Sequence, residues 1–421
     1  MKKFWLLVAL LAFLGGVKAQ THTRVYDEHI RTLRVARTFP TLNRPLDGSD
    51  PENTLDISFD EMSHDVHFYS YMVQHMNADR TAESGILSGE YLQGFTNQDI
   101  ADYEHSINTN REYTHYRFSF PNPDMVLTRS GNYRLTVYED GDRDKRVAEI
   151  DFCVVEPLVK IDAGVRSNTD IEYNGRYQQL DIDVNTTAIN LKDPNEIRLL
   201  VTQNNRMDNA VWLNRPTYLA QNHLKYQQVR DLIFEGGNEY HHFDAFSRYY
   251  AGTGIDRVFY EMGDYQVPLF PDEITRGEYI HHFDADGAYL INAEHTIDSD
   301  VEAEYMWVHW MLPVAQPWFD GSLYIGGELF GNEMSMRNRM QYDAEAHCYW
   351  LTALVKQGGY DYQYWFVPKE SRVESQKSKA KTTTQRVDGS YWQTENEYAV
   401  YVYWRPFGAR YDRLIGIHML H

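Results

Sequence analysis

The sequence predicts an all-β protein built from two or three tandem β-sandwich domains of immunoglobulin-like or early-set-like type. Aromatic residues make up 14% of the 421 residues and include 32 tyrosines, and aromatic side chains favour strands. Short runs that alternate apolar and polar residues recur between turn-rich segments, which is typical of sandwiches. A chain of this length exceeds one ordinary hydrophobic core, so we expect more than one domain.

Residues 1–19 have the composition of a secretory signal peptide. Lys2 and Lys3 precede an apolar run over residues 4–14, and a small-residue cleavage pattern ends at Ala19, before Gln20. We therefore predict cleavage between Ala19 and Gln20 and export of the remainder. The apolar run is too short to span a bilayer. The formal net charge of −21 disfavours nucleic acid and anionic membrane surfaces as partners.

Residues 20–157 are predicted to form an N-terminal β-sandwich domain. Alternation over residues 54–59 indicates a half-buried strand. The clearest hairpin joins residues 132–138 to residues 146–155 through an acidic, glycine-containing turn. That turn fits a hairpin better than a calcium loop, because no closing carboxylate follows at the required spacing.

Residues 158–316 are predicted to form a central β-rich domain. Residues 177–184 alternate as a half-buried strand, and residues 301–311 (VEAEYMWVHWM) carry apolar groups on both faces, which predicts burial on both sides. Between them, residues 203–208 form a polar turn. We expect Arg206 to pair locally with an aspartate or a turn carbonyl, and a ligand-binding role is the alternative.

Residues 317–421 are predicted to form a C-terminal early-set-like β-sandwich domain. Trp350, Trp365 and Trp392 are candidates for stacking on sugar rings. Exposed and coplanar Trp365 and Trp392 would indicate such stacking, whereas buried rings would indicate packing. Residues 369–386 interrupt the predicted strands with basic and hydroxyl side chains and almost no apolar ones. They are predicted to form a mobile basic loop that is either merely solvated or in contact with an acidic partner.

Cysteine and histidine offer candidate sites that the sequence leaves open. Cys153 and Cys348 each lie in an apolar run, so either a disulfide or two separate buried thiols is compatible with an exported protein. Residues 239–244 (EYHHFD) and 278–284 (EYIHHFD) place imidazoles beside carboxylates. Neighbouring strand residues point to opposite faces, so one patch cannot direct both histidines at one ion. We expect packing roles, and neither a metal nor a cofactor is predicted.

Residues 234–254 (FEGGNEYHHFDAFSRYYAGTG) form the most unusual stretch. Its glycines and clustered Asn and Asp argue against an ordinary strand. We expect an ordered crossing segment, which four aromatic side chains pack against a core: Phe243, Phe246, Tyr249 and Tyr250.

The pattern FxGGNEYxxFDxxS in this stretch resembles the most distinctive segment of the type IX secretion system plug protein family. Residues 91–95 (YLQGF), 113–116 (YTHY) and 401–406 (YVYWRP) are similar to further family segments in the same order. The resemblance covers nearly the whole predicted mature chain. It implies a β-rich periplasmic protein that sits beneath the giant outer-membrane translocon barrel and keeps its channel closed.

No motif of a common catalytic site occurs in the sequence: it lacks Gly-x-Ser-x-Gly, His-Glu-x-x-His and glycine-rich phosphate or dinucleotide loops. Together with the resemblance, this predicts a non-enzymatic component that docks on the periplasmic opening of the translocon and plugs it. Rigid turns lose little entropy on docking, which places the predicted interface at Asn204, Arg206, Asp208, Asn238, Glu239, Phe243 and Asp244. The alternative is a carbohydrate-binding or polysaccharide-acting periplasmic protein. The sequence leaves open which face meets the translocon.

Overall fold

The structure is a computed structural model that describes residues 22–36, 39–369 and 382–420. The predicted signal peptide, with its cleavage site at Ala19 and Gln20, lies outside the described residues. So do residues 370–381 of the predicted basic loop. Strands supply nearly all regular structure, which confirms the predicted all-β class. Three large hydrophobic cores define three units, and each core lies between two sheets.

The first unit has one helical turn, α1 (Ser88–Tyr91), and eleven strands: β1 (His22–Val25), β2 (Ile30–Ala36), β3 (Leu55–Glu61), β4 (Tyr69–Met76), β5 (Leu92–Gly94), β6 (Asn97–Ile100), β7 (Asp102–His105), β8 (Thr114–Phe120), β9 (Met125–Leu127), β10 (Gly131–Glu139) and β11 (Arg146–Val154). One sheet has the order β1-β11-β10-β4-β6 and the other β2-β3-β8-β7. The predicted hairpin corresponds to β10 and β11, in which Ile150 and Phe152 enter the core and are at most 1% exposed.

The second unit begins with seven strands: β12 (Lys160–Arg166), β13 (Tyr177–Asn185), β14 (Ile197–Gln203), β15 (Arg206–Leu213), β16 (Tyr218–Ala220), β17 (His223–Tyr226) and β18 (Ile233–Glu235). One of its sheets has the order β12-β13-β17-β16, and β18 also pairs with β13. Alternation explains β13, since Leu180, Ile182 and Val184 point into the core and are at most 1% exposed.

The third unit has a helical turn, α2 (Ser299–Glu302), and nine strands: β19 (His241–Asp244), β20 (Phe259–Glu261), β21 (Asp264–Pro268), β22 (Tyr289–Ile291), β23 (Tyr305–Pro313), β24 (Gly321–Gly326), β25 (Gln341–Asp343), β26 (Cys348–Lys356) and β27 (Gly358–Pro368). Its sheets have the orders β19-β27-β22, with β24 also on β27, and β20-β21-β23-β26-β25. Short 3-10 helices occupy Pro51–Asn53, Pro194–Glu196, Arg230–Leu232 and Glu328–Phe330 in the three units.

The last two strands, β28 (Tyr398–Trp404) and β29 (Arg413–Leu420), return to the second unit. They complete its other sheet, with the order β15-β14-β28-β29. Strands from the predicted ranges 158–316 and 317–421 therefore share sheets, and β19 pairs with β27 across the same predicted boundary. The third unit is an insertion in the second one, so the three cores do not follow three consecutive stretches of chain.

A buried ion pair joins the first unit to the third. Lys356 Nζ, at the end of β26, lies 2.6 Å from Asp60 Oδ2 in β3, and His115 Nδ1 in β8 lies 2.6 Å from Asp60 Oδ1. Tyr305 adds a hydroxyl that donates to Asp60 at 2.7 Å. Burial alone would raise the pKa of Asp60, but Lys356 and His115 outweigh it and hold that pKa below its usual range. We call these four residues the charged junction.

The two cysteines lie in different parts of the fold. Cys153 packs in a small apolar cluster between the first and second units, with Val155, Leu200 and Tyr401 among its members. Cys348 lies in β26 of the third unit. Both are buried free thiols, which answers the open question of pairing in favour of two separate thiols.

Candidate functional site

Residues 234–254 carry the chain from the second unit to the third, as the predicted crossing segment requires. Gly236 lies against the returning chain, where a Cβ would come within 2.0 Å of the Tyr391 carbonyl oxygen. Gly237 has a φ of +67°, which favours glycine. The Gly237 carbonyl then accepts a hydrogen bond from Tyr391 N at 2.8 Å. Close approach of two backbones explains the paired glycines.

Neutral amide side chains fill the space between the two crossings. Asn396 Nδ2 donates to the Gly236 carbonyl at 2.7 Å and to Gln178 Oε1 at 3.0 Å. Gln203 Nε2 donates to the Glu235 carbonyl at 2.8 Å, and Asn204 Nδ2 donates to Asn396 Oδ1 at 2.8 Å. We call Gln178, Gln203, Asn204, Asn396 and the glycine pair the amide junction. It fixes where the third unit leaves and rejoins the second.

Beyond the glycines, two adjacent histidines of β19 each bridge two carboxylates. His241 donates to Asp388 at 2.9 Å and to Asp272 at 3.2 Å. His242 donates to Asp361 at 2.6 Å and to Asp244 at 2.8 Å. The two rings therefore point to opposite faces, as strand geometry predicts.

Charge pairing sets the protonation of both histidines. Burial opposes a positive ring, but the carboxylates of Asp388 and Asp272 outweigh it and raise the pKa of His241 to about 10. The same balance, with Asp244 and Asp361, raises the pKa of His242 to about 10. Both rings are cations at neutral pH, and their nitrogens are engaged as donors to carboxylates.

The second histidine patch lies beside the first. His282 Nε2 is 3.0 Å from the Tyr240 carbonyl oxygen, and His281 Nδ1 is 3.7 Å from Glu239 Oε1. Burial, together with the nearby charges of Asp361 and Glu239, raises the pKa of Asp284 to about 6. Among the residues that the structure describes, no group of three or more His, Cys, Asp or Glu side chains is arranged to hold a metal ion.

The predicted interface residues lie mostly inside the protein. Phe243 is fully buried, and Asn204, Arg206 and Glu239 are also buried. Arg206 forms a bidentate pair with Asp208, at 2.7 and 3.1 Å, and stacks 4.4 Å from the Trp365 ring. This is the local aspartate pairing that the sequence predicts for Arg206.

Asn238 and Asp244 are half-buried, and each already has a partner within the chain. Asn238 Nδ2 donates to the Asp388 carbonyl at 2.9 Å, and Asp244 accepts from His242. The predicted interface residues thus hold the crossing segment in place. Whether any of them contacts a partner stays a prediction.

The expectation that Tyr249 and Tyr250 pack against a core is wrong. Phe243 does enter the core, but Tyr249 is 72% exposed and Tyr250 is also exposed. Strand β19 ends at Asp244, and Tyr249 and Tyr250 follow it outside any strand, next to the first-unit contact that Arg248 makes with Asn108.

Three further exposed apolar residues lie on the same surface: Ile107 of the first unit, and Tyr260 and Met262 of the third. Arg248 joins the two units here, since it donates to the Asn108 carbonyl at 3.2 Å and to the Tyr249 hydroxyl at 3.1 Å. Tyr260 donates to Asn110 at 3.1 Å. We call Ile107, Tyr249, Tyr250, Tyr260 and Met262 the tyrosine patch. Exposed apolar patches of this kind mark interaction surfaces.

A bidentate ion pair supports the tyrosine patch from below. Arg111 of the first unit donates to both carboxylate oxygens of Asp264 at 2.7 Å, and its guanidinium lies 5.5 Å from the Trp307 ring centre. No sequence pattern pointed to this patch. The signal that could have found it is the density of Tyr and Met in short loops next to turn residues.

The tryptophans proposed for sugar stacking do not form an exposed pair. Trp365 is fully buried, Trp392 is half-buried, and Trp350 is exposed on β26. The end of the predicted basic loop is ordered by contacts: Thr383 pairs with Phe366, and Arg386 binds Asp320 at 2.8 Å. Residues 370–381 lie outside the described part of the chain.

No helix in the described part of the chain is long and apolar enough to cross a membrane.

Three sandwich-like cores, one inserted in another and tied by buried polar junctions, define the chain as a multi-sandwich β protein. A family model described as the type 9 secretion system plug protein 1st domain matches residues 30–156, which is most of the first unit. This match over residues 30–156 confirms the resemblance to the type IX secretion system plug protein family that the sequence predicts. It supports an association with the type IX secretion system, a periplasmic or envelope location and a non-enzymatic role.

Solved structures extend the likeness over the whole chain. A crystal structure of a hypothetical protein from Parabacteroides merdae is 37% identical with a TM-score of 0.87, and the match covers 96% of this chain and 99% of that chain. Dimeric latent PorU from Porphyromonas gingivalis aligns at 7% identity and a TM-score of 0.13, over 96% of this chain and 33% of that chain. That likeness is too low to inform the fold. No curated protein matches the sequence.

Proposed function

We propose that this protein docks on the periplasmic opening of the outer-membrane translocon of the type IX secretion system and closes the channel without catalysing a reaction. The family match over residues 30–156 carries the proposal. Closing a channel requires a body that keeps its shape under contact. The charged junction and the amide junction supply that property, because both tie separate cores through buried hydrogen bonds.

The tyrosine patch is the surface that we propose for docking. It spans the first and third units, and Met262 and Tyr249 expose most of their side chains. Tyrosine and methionine are enriched in interface cores. The predicted interface residues then act indirectly: Phe243, Asp244 and their neighbours hold the segment whose continuation presents Tyr249 and Tyr250.

Affinity capture tests the docking. The tagged chain, expressed with its predicted signal peptide, is purified from gently solubilised envelopes, and bound proteins are identified by mass. We expect one very large outer-membrane barrel in near-stoichiometric amount. Recovery of the chain without any barrel, in an envelope fraction that contains the translocon, would contradict the proposal.

Matched variants test the surface. Tyr249→Ala combined with Met262→Ala is expected to reduce barrel recovery at least about tenfold, which is the change that a loss of about 1.4 kcal/mol produces. The control is Phe407→Ala, because Phe407 is 99% exposed but lies on the second unit, beside Glu196. A loss of recovery with the control and not with the patch variant would move the docking surface to the second unit.

A further inference from the structure

A cavity of about 1290 Å³ opens where the three units meet. Its walls come from both sheets of the first unit, chiefly β2, β3 and β8 with part of β4 and β6, from residues 288–291 and 328–332 of the third unit, and from Asn205 of the second. Small-molecule pockets usually occupy about 300–1,000 Å³. This cavity is larger and open, so its size suits a segment of chain better than a compact metabolite.

One wall of the cavity is the free edge of a sheet. Strand β22 lies at the end of the order β19-β27-β22. The Ala288 carbonyl accepts from Asp361 N at 3.1 Å, and Asn292 N donates to the Gln357 carbonyl at 3.2 Å. Ala288, Leu290 and Asn292 therefore direct their backbone groups toward β27. The backbone groups of Tyr289 and Ile291 therefore point the other way.

Those outward backbone groups have no partner within the described residues. No hydrogen bond of the described chain involves the N–H or C=O of Tyr289 or Ile291. Both residues line the cavity. An unpaired strand edge is a template for the backbone of an added strand.

Two buried side chains also present unsatisfied polar atoms at the cavity. His115 Nε2 and Asn332 Oδ1 make no hydrogen bond, although His115 is only 2% exposed and Asn332 only 8%. The nearest carboxylate oxygen to His115 Nε2, that of Asp300, is 3.9 Å away. Buried polar atoms normally have partners, so these two atoms are suited to a ligand that enters the cavity.

Acidic residues dominate the charge of the cavity wall. Carboxylates outnumber arginines two to one among the lining residues: Glu52, Asp56, Asp99, Asp102, Asp300 and Glu328 face Arg34, Arg44 and Arg117. Each arginine pairs with one of these carboxylates, Arg34 with Asp300, Arg44 with Glu52 and Arg117 with Asp102, so these nine side chains keep a net formal charge of −3. The wall therefore favours a cationic ligand over an anionic one.

We propose that this cleft binds an extended peptide segment with basic side chains, which adds to β22 as a strand. Its backbone pairs with Tyr289 and Ile291, and its cationic side chains lie over the carboxylates of the first-unit wall. The proposal does not depend on docking at the translocon, because neither the cleft nor its edge strand includes the tyrosine patch. The protein then has two separate interaction sites.

A defined probe tests the cleft. The probe is a fluorescent peptide of alternating lysine and threonine, about ten residues long, which is the upper length of an ordinary strand. We expect saturable binding to the full chain by fluorescence anisotropy, and slower hydrogen exchange of the Tyr289 and Ile291 amides. A probe with glutamate in place of lysine, and one N-methylated at alternate backbone nitrogens, are each expected to bind at least about tenfold more weakly.

Each alternative outcome overturns the proposal. Equal binding of the N-methylated probe excludes strand addition, and equal binding of the glutamate probe excludes charge selection. No saturable binding up to about 1 mM, the weak limit of useful affinity, excludes the peptide site. Binding of a neutral cello-oligosaccharide in place of the peptide would assign the cleft to a carbohydrate.

A charge-reversal pair localises the binding. Asp99→Lys changes an exposed residue of β6 that lines the cavity. It is expected to weaken binding of the lysine probe several-fold, because one charge contact is removed. Asp144→Lys makes the same charge change in the exposed hairpin turn between β10 and β11, outside the cavity. Equal weakening by the two variants would show a non-specific effect of net charge and overturn the assignment.

Discussion

The charged junction and the amide junction both attach the third unit to the rest of the chain, but they do so with different chemistry. At the charged junction, the carboxylate of Asp60 accepts hydrogen bonds from Lys356, His115 and Tyr305. At the amide junction, several neutral groups form the hydrogen bonds. The Asn396 side chain, for example, bonds to Gly236, Gln178 and Asn204. A single charged centre makes a junction sensitive to one substitution, whereas a neutral network distributes the loss.

The largest effect is expected from Lys356→Met. The change leaves Asp60 as a buried carboxylate without its ammonium partner, and removal of one member of a buried ion pair costs about 3–5 kcal/mol. Urea unfolding measures the free energy of unfolding. The control is Lys145→Met, because Lys145 pairs with Asp140 in an exposed turn, and exposed pairs contribute about 0–1 kcal/mol.

The double variant Asp60→Asn with Lys356→Met sharpens this result. Replacement of both charges removes the unpaired carboxylate, so much of the lost stability is expected to return. If the double variant is as unstable as Lys356→Met, the loss comes from packing around Tyr113, whose ring lies 4.2 Å from Lys356 Nζ, and the junction is not electrostatic.

At the amide junction, the backbone is the sensitive point. Gly236→Ala would place a methyl group within 2.0 Å of the Tyr391 carbonyl oxygen, and we expect a loss of about 1–3 kcal/mol from overpacking. Gly164→Ala is the control, since a Cβ there meets nothing within 4 Å. Equal unfolding midpoints for the two variants would mean that the crossings separate without cost, and the glycine pair would then have no role in the junction.

The two junctions also differ in their response to pH. Asp60 has a lowered pKa, so its contribution to stability is present above its ordinary pKa of 3.8 and is lost as the pH falls through the folded value. His241 and His242, next to the amide junction, behave in the opposite way. Their raised pKa values mean that their contribution is complete below pH 6.5 and is lost as the pH rises to about 10.

The test of the alkaline limb is the pH dependence of unfolding between pH 6.5 and about 10 in His241→Gln and in the unaltered chain. The variant is expected to lose less stability over this window, because one group with a raised pKa is gone. Identical slopes would show that His241 titrates normally in the folded protein. NMR titration of the ring, with an expected pKa of about 10, gives the direct measurement.

Local pattern predicted much of the fold and little of the connectivity. Alternation is enough to identify β10, β11 and β13, and the glycine-rich crossing follows from its composition. The return of β28 to β14 could not be predicted, because Trp404 pairs with Ile197 over a long separation that leaves no local signal. The same holds for Asp60 and Lys356, which are 296 positions apart.

The site was predicted less well than the fold, for a related reason. Polar turn residues such as Asn204 and Asp244 look accessible in sequence, but they face other parts of the chain once the third unit is inserted. Aromatic residues such as Tyr249 look buried, but the end of β19 leaves them outside. In both cases the neighbours that decide exposure come from distant segments.

The smallest effect on stability is expected at the tyrosine patch, and that expectation separates surface from junction. Tyr249→Ala and Met262→Ala remove side chains that are 72% and 96% exposed, so each should change the free energy of unfolding by no more than about 0.5 kcal/mol. Urea unfolding of each variant beside Gly236→Ala measures the contrast. A loss comparable to that of Gly236→Ala would mean that the patch supports the contact between the first and third units, and reduced barrel recovery could then no longer be assigned to a lost docking contact.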